Sequence, residues 1–461
     1  MTSINLKGDQ WPTWRLWRAI RTGGFIAVFV AFETSLQLTS APACQEIGFA
    51  SSITWPSGVS SASVAIGDLN GDGILDAVVA NEGFRSGYSI LLGRGRAEFA
   101  PPLIFGIDGV TPTMVILRDL NFDGKLDLVI GNRDSTGVVV LLGSGDGAFG
   151  VPQQLPSSGR CIFVTTADFN EDGLEDLVCT YEAGISVLLG RGDGTFSEAA
   201  YYDVLGSPTS MAIEDFNSDG HQDVAIAIPG VGIAFYHGRG DGTLVYEGRL
   251  DFWGQTAPIV TSDFNKDGNL DLASGTSWPE PGVRILLGSG SGSFAPPTYY
   301  RGASGWIVVD HFNNDDELDL AVAGSGAGSG PRIVSVLLGR GDGTFRNPIF
   351  CDWLSSPISV TSADLDGDGK PDLVSAGWNG SISVSKNIFV YPDDPFAIDC
   401  PDGVLRVSWP SGLTNALLEA TGSLSPANWE RVVSQPTIQN GRWELSVFDE
   451  SQSKFFRLLE P

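Results

Sequence analysis

Short apolar runs separated by acidic or glycine-rich turns recur along most of the chain. Runs such as SVAIG, DLVIG and VVVLLG have the length of a β-strand and are too short for a helix. The third run of each group ends in a glycine-rich turn and an aromatic residue, as in GRGDGTF closing at Phe196 and at Phe345. A fourth run follows, for example FAPPTYY from Phe294. The pattern predicts units of four short strands and an all-β fold.

The acidic turn between the first two runs is an internal repeat. One nine-residue pattern occurs seven times, starting at Asp68, Asp119, Asp168, Asp215, Asp263, His311 and Asp364. Successive starts lie 51, 49, 47, 48, 48 and 53 residues apart. A period of that length accommodates the four strands of one propeller blade, so the copies predict a seven-bladed β-propeller.

The seventh unit lacks its last strand. A glycine-rich turn and an outer strand follow units one to six, but the chain reads SISVSKN after the seventh. The segment from Ile47 to Trp55, IGFASSITW, precedes the first unit and has the pattern of an orphan outer strand. We expect it to complete blade seven and close the ring, which removes the free edges of an open sheet.

The seven loops resemble those of the FG-GAP or VCBS repeat family, whose best-known members are the propeller heads of integrin α-subunits. The resemblance covers residues 45–391. It implies a seven-bladed propeller and, by similarity to integrins, a partner on the face away from the acidic loops. Related repeats also occur in bacterial surface and secreted proteins, carbohydrate-binding propellers and polysaccharide lyases, so the resemblance is specific for fold rather than for function.

The spacing of oxygen-bearing residues in the loops is typical of a calcium site. Ca²⁺ takes several oxygen ligands, which a tight loop can offer from alternate side chains and one carbonyl. In the first loop Asp68, Asn70, Asp72 and Asp76 would supply side-chain oxygens and Ile74 its carbonyl, while the glycine at position six permits a positive-φ turn. The same roles fall on Asp119, Asn121, Asp123, Lys125 and Asp127; on Asp168, Asn170, Asp172, Leu174 and Asp176; on Asp215, Asn217, Asp219, His221 and Asp223; on Asp263, Asn265, Asp267, Asn269 and Asp271; and on Asp364, Asp366, Asp368, Lys370 and Asp372.

The alternative is that Asp, Asn and Gly are simply good turn formers and that the loops fold without metal. Seven crowded acidic loops argue against this, since like charges repel unless they are neutralised. The sixth loop departs from the pattern, because His311 replaces the first carboxylate and Asp316 replaces the glycine, leaving Asn313, Asp315 and Asp319. We expect calcium in up to six loops, with a mainly structural role.

Charge and composition narrow the function further. The formal net charge of −28, from 55 acidic and 27 basic residues, would repel nucleic acid. The three histidines, His221, His237 and His311, accompany no candidate nucleophile, so we predict a binding protein rather than an enzyme. A lectin or a lyase-like, polysaccharide-active enzyme on the same scaffold is the alternative. Three Arg-Gly-Asp triplets, at 191–193, 239–241 and 340–342, lie inside the repeated turn and are interpreted as part of the fold.

Both ends of the chain depart from the repeats. Residues 1–43 have basic residues, then GFIAVFVAF and Ala-Pro-Ala, which is the layout of a secretory signal peptide. We therefore expect an exported monomer, extracellular or at the cell surface, with no membrane span in the mature chain; an uncleaved anchor, or a lipid anchor at Cys44, is the alternative. Residues 396–461 alternate in polarity and predict a small all-β module. Disulfides Cys161–Cys179 and Cys351–Cys400 are open possibilities.

The acidic loops all join a first to a second strand, so they share one face of the propeller. On the opposite face we expect Phe84, Arg85, Arg133, Asp134, Tyr181, Trp278, Trp306 and Trp378. Exposed aromatic side chains suit sugar stacking or a protein hot spot, so a glycan or protein ligand is expected there. For the last three of these residues, the tryptophans, packing and binding remain equally open, whereas Trp55, Trp253 and Trp353 are expected to wedge between blades.

Overall fold

The structure is a computed structural model. It describes the side chains of residues 49–388 except 51, 59, 84–85, 135–136, 156–158, 252–257, 278–279, 314, 326–331 and 352–355, and elsewhere only the backbone of the strands. Every regular element in this part of the chain is a strand. Within it, no helix is long and apolar enough to cross a membrane.

Seven antiparallel four-stranded sheets form the blades of a β-propeller, as the repeat predicts. From the inner to the outer strand they are Ser60–Gly67, Asp76–Glu82, Gly87–Leu91 and Leu103–Gly106 in blade one; Pro112–Arg118, Asp127–Asn132, Val138–Leu141 and Gln153–Leu155 in blade two; Val164–Ala167, Asp176–Tyr181, Gly184–Leu188 and Ala200–Asp203 in blade three; Ser210–Glu214, Asp223–Ile228, Gly232–Gly238 and Leu244–Asp251 in blade four; Thr256–Ser262, Asp271–Thr276, Gly282–Leu286 and Thr298–Arg301 in blade five; Ser304–Asp310, Asp319–Ser325, Arg332–Leu337 and Ile349–Cys351 in blade six; and Pro357–Ala363, Asp372–Gly377, Ser381–Ser385 and Ile53–Pro56 in blade seven.

The N-terminal strand closes blade seven, which confirms the prediction from the orphan segment. Ile53–Pro56 pairs antiparallel with Ser381–Ser385, and Trp55 lies opposite Ile382. An isolated bridge between Phe49 and Asn387 extends the pairing. Because the first and last parts of the repeat region share one sheet, the ring has no free edge at its start.

The core lies between the blades. Each second strand is covered by neighbouring blades on both of its faces, which is why it reads as a continuous apolar run rather than an alternating one. Between blades one and two, for example, Val78 and Ile90 pack in one cluster with Leu128 and Ile130, and all four are fully buried. Burying one such side chain contributes about 1.5–3 kcal/mol.

Trp306 lies on an inner strand and not in a loop of the opposite face, so its expected placement is wrong, and of the two alternatives left open for it the structure shows packing. The residue is on the inner strand of blade six, and its ring stacks on Phe163 of blade three with centroids 5.9 Å apart and planes inclined by 18°. Blades three and six are not neighbours in the ring, so this contact spans the central channel. Trp55 packs edge-on against Phe99 of blade one, as expected for a side chain wedged between blades; Trp253 and Trp353 lie outside the described residues.

Hydrogen bonds join the ends of the inner strands at alternate blade junctions. Arg118 Nε of blade two donates to Thr166 Oγ1 of blade three at 3.3 Å. Thr261 Oγ1 of blade five donates to Glu214 of blade four at 3.4 Å. In the third such pair, Ser362 of blade seven donates to Asp310 of blade six at 2.6 Å. In each pair the charged residue is the last residue of the inner strand of an even-numbered blade. Its hydroxyl partner is the last residue but one of the inner strand of the next blade.

The chain ends form a separate compact unit, Met1–Pro42 with Phe389–Pro461. One sheet contains, in order, Ala397–Asp399, Leu405–Pro410, Arg442–Val447 and Thr437–Gln439; the other contains Ile4–Leu6, Thr13–Thr22, Phe25–Glu33, Phe455–Leu459, Leu417–Thr421 and Glu430–Arg431. The apolar strand Phe25–Glu33 belongs to the segment with signal-peptide features, and it pairs antiparallel with Phe455–Leu459. Removal of residues 1–43 would leave three strands in that sheet.

The described cysteines have two different states. Cys161 and Cys179 are buried and do not form the disulfide that the sequence left open, and burial raises the pKa of the Cys161 thiol. Cys351 is disulfide-bonded. The two cysteines Cys44 and Cys400 lie outside the described residues.

Candidate functional site

The first carboxylate of each acidic loop holds the turn together. The amide of the glycine at position six donates to it, as from Gly73 to Asp68 at 2.8 Å. The same contact joins Gly124 to Asp119, Gly173 to Asp168, Gly220 to Asp215, Gly268 to Asp263 and Gly369 to Asp364. These glycines have φ near +80°, so a side chain there would be strained. The positive-φ glycine at position six therefore directs its amide to the carboxylate at position one.

The carboxylate at position nine has a second role that the spacing did not predict. Asp76 accepts the amide of Leu69 at 2.9 Å and that of Gly93, in the glycine-rich turn, at 2.6 Å. All seven loops repeat this double contact, through Asp76, Asp127, Asp176, Asp223, Asp271, Asp319 and Asp372. Blade seven has no glycine-rich turn, and the amide of Asn387 takes its place at 2.7 Å. Position nine thus ties each loop to its own sheet through hydrogen bonds that involve no metal.

Burial makes these position-nine carboxylates hard to ionise. It raises the pKa of Asp176 to about 6 and that of both Asp319 and Asp372 to about 7, against the opposing effect of the backbone hydrogen bonds. Neighbouring loop carboxylates, such as Asp366 beside Asp372, act in the same direction as burial. A bound cation would relieve both effects, since an opposite charge favours the ionised form.

Loop seven has the geometry that best fits a metal ion. Carboxylate oxygens of Asp364, Asp366 and Asp372 all lie within 4.8 Å of one another, and among the described residues this is the one such acidic group. Asp366 Oδ1 is buried and has no hydrogen-bond partner. Three convergent hard oxygen donors, one of them unsatisfied, fit Ca²⁺ and not a metal that prefers sulfur or nitrogen.

Four of the other regular loops have an asparagine amide that donates to a carboxylate. Asn70 Nδ2 donates to Asp72 at 3.0 Å, and equivalent bonds join Asn170 to Asp172, Asn217 to Asp219 and Asn265 to Asp267. In all six regular loops the amide at position seven donates to the carboxylate at position five, as from Ile74 to Asp72 at 2.8 Å. These bonds hold positions five and seven of every regular loop in one turn, whereas among the described residues three acidic oxygens converge within 4.8 Å only in loop seven.

The sixth loop is closed by a side chain instead. His311 Nδ1 lies 2.9 Å from the carbonyl oxygen of Glu317, which is at position seven, where the other loops would offer a carbonyl to calcium. Asp316, in place of the glycine, is held at φ +59°. The residues of this loop do not fit the ion, because an imidazole occupies the carbonyl that would coordinate it.

Several of the loops are also fastened to the next blade. The turn glycine Gly147 of blade two donates to the carbonyl of Leu69 in loop one at 3.1 Å. Loops three, four and five receive the same bond from Gly242, Gly292 and Gly343. Two of these turns contain Arg-Gly-Asp; in one, Asp241 Oδ1 accepts both the amide and the hydroxyl of Thr243. The carboxylates of the triplets therefore cap their own turns, as the interpretation as fold elements expects.

The face opposite the loops differs from the expected arrangement. Tyr181 is buried and donates its hydroxyl to Asp203 at 3.1 Å, so it offers no exposed ring. Arg133 pairs with Glu82 at 2.8 Å. Trp378 is 58% exposed, which favours binding over packing, the two alternatives that the sequence left open for it. Phe84, Arg85 and Trp278 lie outside the described residues.

A polar cavity of about 540 Å³ opens on this face between blades one and two. The carboxylates of Asp108 and Asp134 line it, together with Thr111 and backbone groups of Gly106 and Gly109. Asn132, which is fully buried, fixes its wall by accepting the amides of both Thr111 and Asp134 at 2.8 and 3.0 Å. No residue pattern in the sequence marked this cavity, because it is made where a blade linker meets a loop of the next blade.

Comparison with known proteins gives a family and a fold. The model of the FG-GAP-like repeat matches residues 119–179, 168–226, 215–274 and 311–375. No curated protein sequence matches the chain. Among solved structures, BBS1N in complex with ARL6DN is similar with a TM-score of 0.52 in a mercury-soaked crystal, at 14% identity over 74% of this chain and 97% of that one. Its lead-soaked crystal gives 0.50 at 13% identity, over 74% and 96%.

A third solved structure, an Agrocybe aegerita lectin that recognises non-reducing terminal N-acetylglucosamine, gives a TM-score of 0.46 at 17% identity over 74% of this chain and 86% of that one. At these identities the likenesses concern the fold alone. The matched repeats, the seven four-stranded blades and the strand that closes the ring identify the chain as an FG-GAP-repeat β-propeller.

Proposed function

We propose that this propeller is an exported scaffold that binds calcium in its acidic loops and a glycan or protein ligand on the opposite face. The observation that carries the calcium proposal is loop seven, where three carboxylates converge and Asp366 Oδ1 is buried without a partner. Five further loops have four oxygen-bearing residues in the same phase. The ion would act on stability, because the loops join strands and blades that are already packed.

The oxidised cysteine and the charge of the chain support export. Cys351 is disulfide-bonded, and such bonds persist mainly in oxidising compartments. A net charge of −28 is easier to tolerate where calcium is abundant, since extracellular modules bind the ion at millimolar concentrations. Intact-mass measurement of the protein recovered from the culture medium tests this, and the expected mass lacks residues 1–43. Protein retained in the cell at full mass would contradict export.

The calcium proposal is tested by thermal unfolding with calcium and with excess chelator. We expect a rise in midpoint that grows with free calcium, because an ion that binds only the folded state stabilises it. Asp366→Asn removes the charge of the unsatisfied oxygen and should lower the number of bound ions by one in titration calorimetry. An unchanged midpoint, with no metal found by elemental analysis, would disprove the calcium proposal.

The ligand proposal rests on the face away from the loops. That face has the cavity lined by Asp108 and Asp134 and the exposed ring of Trp378. On the loop face, by contrast, the carboxylates already accept hydrogen bonds from the amides of their own turns. Glycan and protein arrays probed with calcium-saturated protein test it. Asp134→Ala should weaken binding of a ligand in the cavity. Phe122→Ala, at an exposed position on the loop face, serves as the control.

A further inference from the structure

The ends of blades six and seven that face away from the acidic loops form a platform made by Trp378 and Arg332. Trp378 begins the turn between the second and third strands of blade seven and is 58% exposed. The guanidinium carbon of Arg332, at the start of the third strand of blade six, lies 5.6 Å from the centre of the Trp378 ring. The guanidinium thus lies over one face of an exposed aromatic ring, across a blade junction.

The tryptophan is held on a fixed turn. Its amide donates to the carbonyl of Ser356 at 3.1 Å, and the amide of Gly380 donates to Gly377 at 3.0 Å to close the turn. Gly380 has φ +73°, and Ser381 donates to the side chain of Asn379 at 2.6 Å. A ring presented in this way loses little conformational entropy on binding, which favours a role in recognition.

Arg332 differs from the other arginines of this face. Arg133, Arg160 and Arg301 each pair with a glutamate, at 2.8, 3.4 and 3.3 Å. No carboxylate among the described residues lies within ion-pair distance of Arg332, although the chain has twice as many acidic as basic residues. Its guanidinium lies over the Trp378 ring and keeps N–H donors at its edge for an anion from outside the protein.

Two hydroxyls lie in line with this arginine. Ser325 is the register partner of Arg332, and Ser304 is the register partner of Ser325, so the three polar side chains cross the end of blade six in one row. Both serines are partly exposed. Beside an aromatic ring and a cation, the row adds groups that exchange hydrogen bonds with hydroxyls.

We propose that this platform binds a carboxylated sugar, that is, a uronate residue of an acidic glycan. A pyranose ring can stack its C–H face on the face of Trp378 that Arg332 does not cover, and a planar carboxylate matches the edge of the guanidinium fork. The serine row completes the site by contacting sugar hydroxyls. The inference rests on the proposed ligand face and names its ligand class; it does not depend on calcium in the loops.

The test is titration calorimetry of the full chain, in saturating calcium, with a trimer of galacturonic acid and with its methyl ester. We expect the acid to bind and the ester to bind about tenfold more weakly or worse, because a charge-assisted hydrogen bond is lost. Trp378→Ala and Arg332→Gln should each weaken binding of the acid by a similar factor. Added salt should weaken the acid and leave the ester unaffected.

Matched controls separate this site from others. Phe122 is 57% exposed on the loop face, so Phe122→Ala controls for the loss of an exposed ring, and Arg301→Gln controls for the loss of one positive charge. Neither should change the affinity. Equal binding of acid and ester, or binding of the acid that Trp378→Ala and Arg332→Gln leave unchanged, overturns the inference. Either result would still be compatible with the proposed ligand face if arrays identify a neutral glycan or a protein ligand. Failure of calcium to raise the unfolding midpoint would count against the calcium proposal and not against this inference.

Discussion

Asp176 Oδ1 accepts the amide of Gly190 at 2.7 Å, and through this bond the acidic loop of blade three is tied to the glycine-rich turn of the same blade. The other oxygen accepts the amide of Phe169 at 2.9 Å. Both amides would remain buried and unpaired if the carboxylate were removed. Position nine is therefore part of the fold as well as a candidate ligand.

The first prediction separates these two roles. Asp176→Ala should destabilise the protein by about 1–3 kcal/mol for each amide left unpaired, with or without calcium. Asp172→Ala, at the exposed position five of the same loop, should change stability by less than about 0.5 kcal/mol in chelator and act only when calcium is added. Urea unfolding of both variants in both conditions measures this. Equal effects of the two variants in chelator would show that position nine has no separate structural role.

A second prediction concerns the sixth loop. His311→Asp together with Asp316→Gly restores the regular pattern, frees the carbonyl of Glu317 and removes a non-glycine residue from the left-handed region. We expect native mass spectrometry to find one more calcium ion per chain than in the parent. The control His311→Asn frees the carbonyl without supplying a carboxylate and should add none. An unchanged ion count in the double variant would contradict the role assigned to the imidazole.

A third prediction concerns pH. Burial raises the pKa of Asp319 and Asp372 to about 7, whereas a carboxyl in the unfolded chain titrates near 3.8. Between these values the folded state binds more protons than the unfolded state, so in chelator the free energy of unfolding should fall as the pH rises from 5 to about 7 and then level off. Calcium should remove the part of this fall due to Asp372.

The part due to Asp319 should persist in calcium, because the sixth loop takes up no ion. Asp319→Asn keeps one oxygen acceptor and has no titrating proton, so it should flatten the remaining slope. Urea titrations across this pH range, with and without calcium, provide the measurement. A free energy of unfolding that rises with pH in chelator would reverse the assigned sign.

The fourth prediction compares two tryptophans. Trp306→Ala removes the ring that stacks on Phe163 across the channel and should destabilise the protein by about 3 kcal/mol, the lower end of the range for buried aromatic residues because Trp306 is only partly buried. Trp378→Ala removes an exposed ring and should change stability by less than about 0.5 kcal/mol. Thermal unfolding compares them directly. A similar loss from both would argue that Trp378 packs rather than binds.

Period and phase were enough to predict the blades, their number and the closing strand. The seven loops share one spacing. Blade seven lacks an outer strand after Ser385, and the unpaired segment near Trp55 supplies it. Contacts between blades were beyond this reasoning. Trp306 looks like a loop residue by its glycine and serine neighbours, but it reaches Phe163 because two inner strands far apart in sequence face one channel.

The candidate site shows the same limit. Ligand types and their spacing could be taken from one loop, whereas the second duty of Asp176 depends on a turn that follows 14 residues later. The pairing of Trp378 with Arg332 joins two blades and has no signature within either repeat. Local pattern therefore predicted the loops, and tertiary contact decided which of their neighbours matter.

The alternation of polar junctions at the inner strands meets a problem of parity. The hydrogen bonds pair blade two with three, four with five and six with seven. Because the number of blades is odd, one blade is left without a partner. This is blade one, where Gly67 stands at the position of the charged residue and an added Cβ would lie 2.5 Å from Leu126 Cδ1. At the ends of the inner strands, the junctions of blade one with blades seven and two are apolar, with Ala363 near Ile66 and Leu117 near Gly67. Among the described residues, blade one is therefore the one blade without a polar pair at the end of its inner strand. It lies next to blade seven, whose sheet is completed by the N-terminal strand Ile53–Pro56.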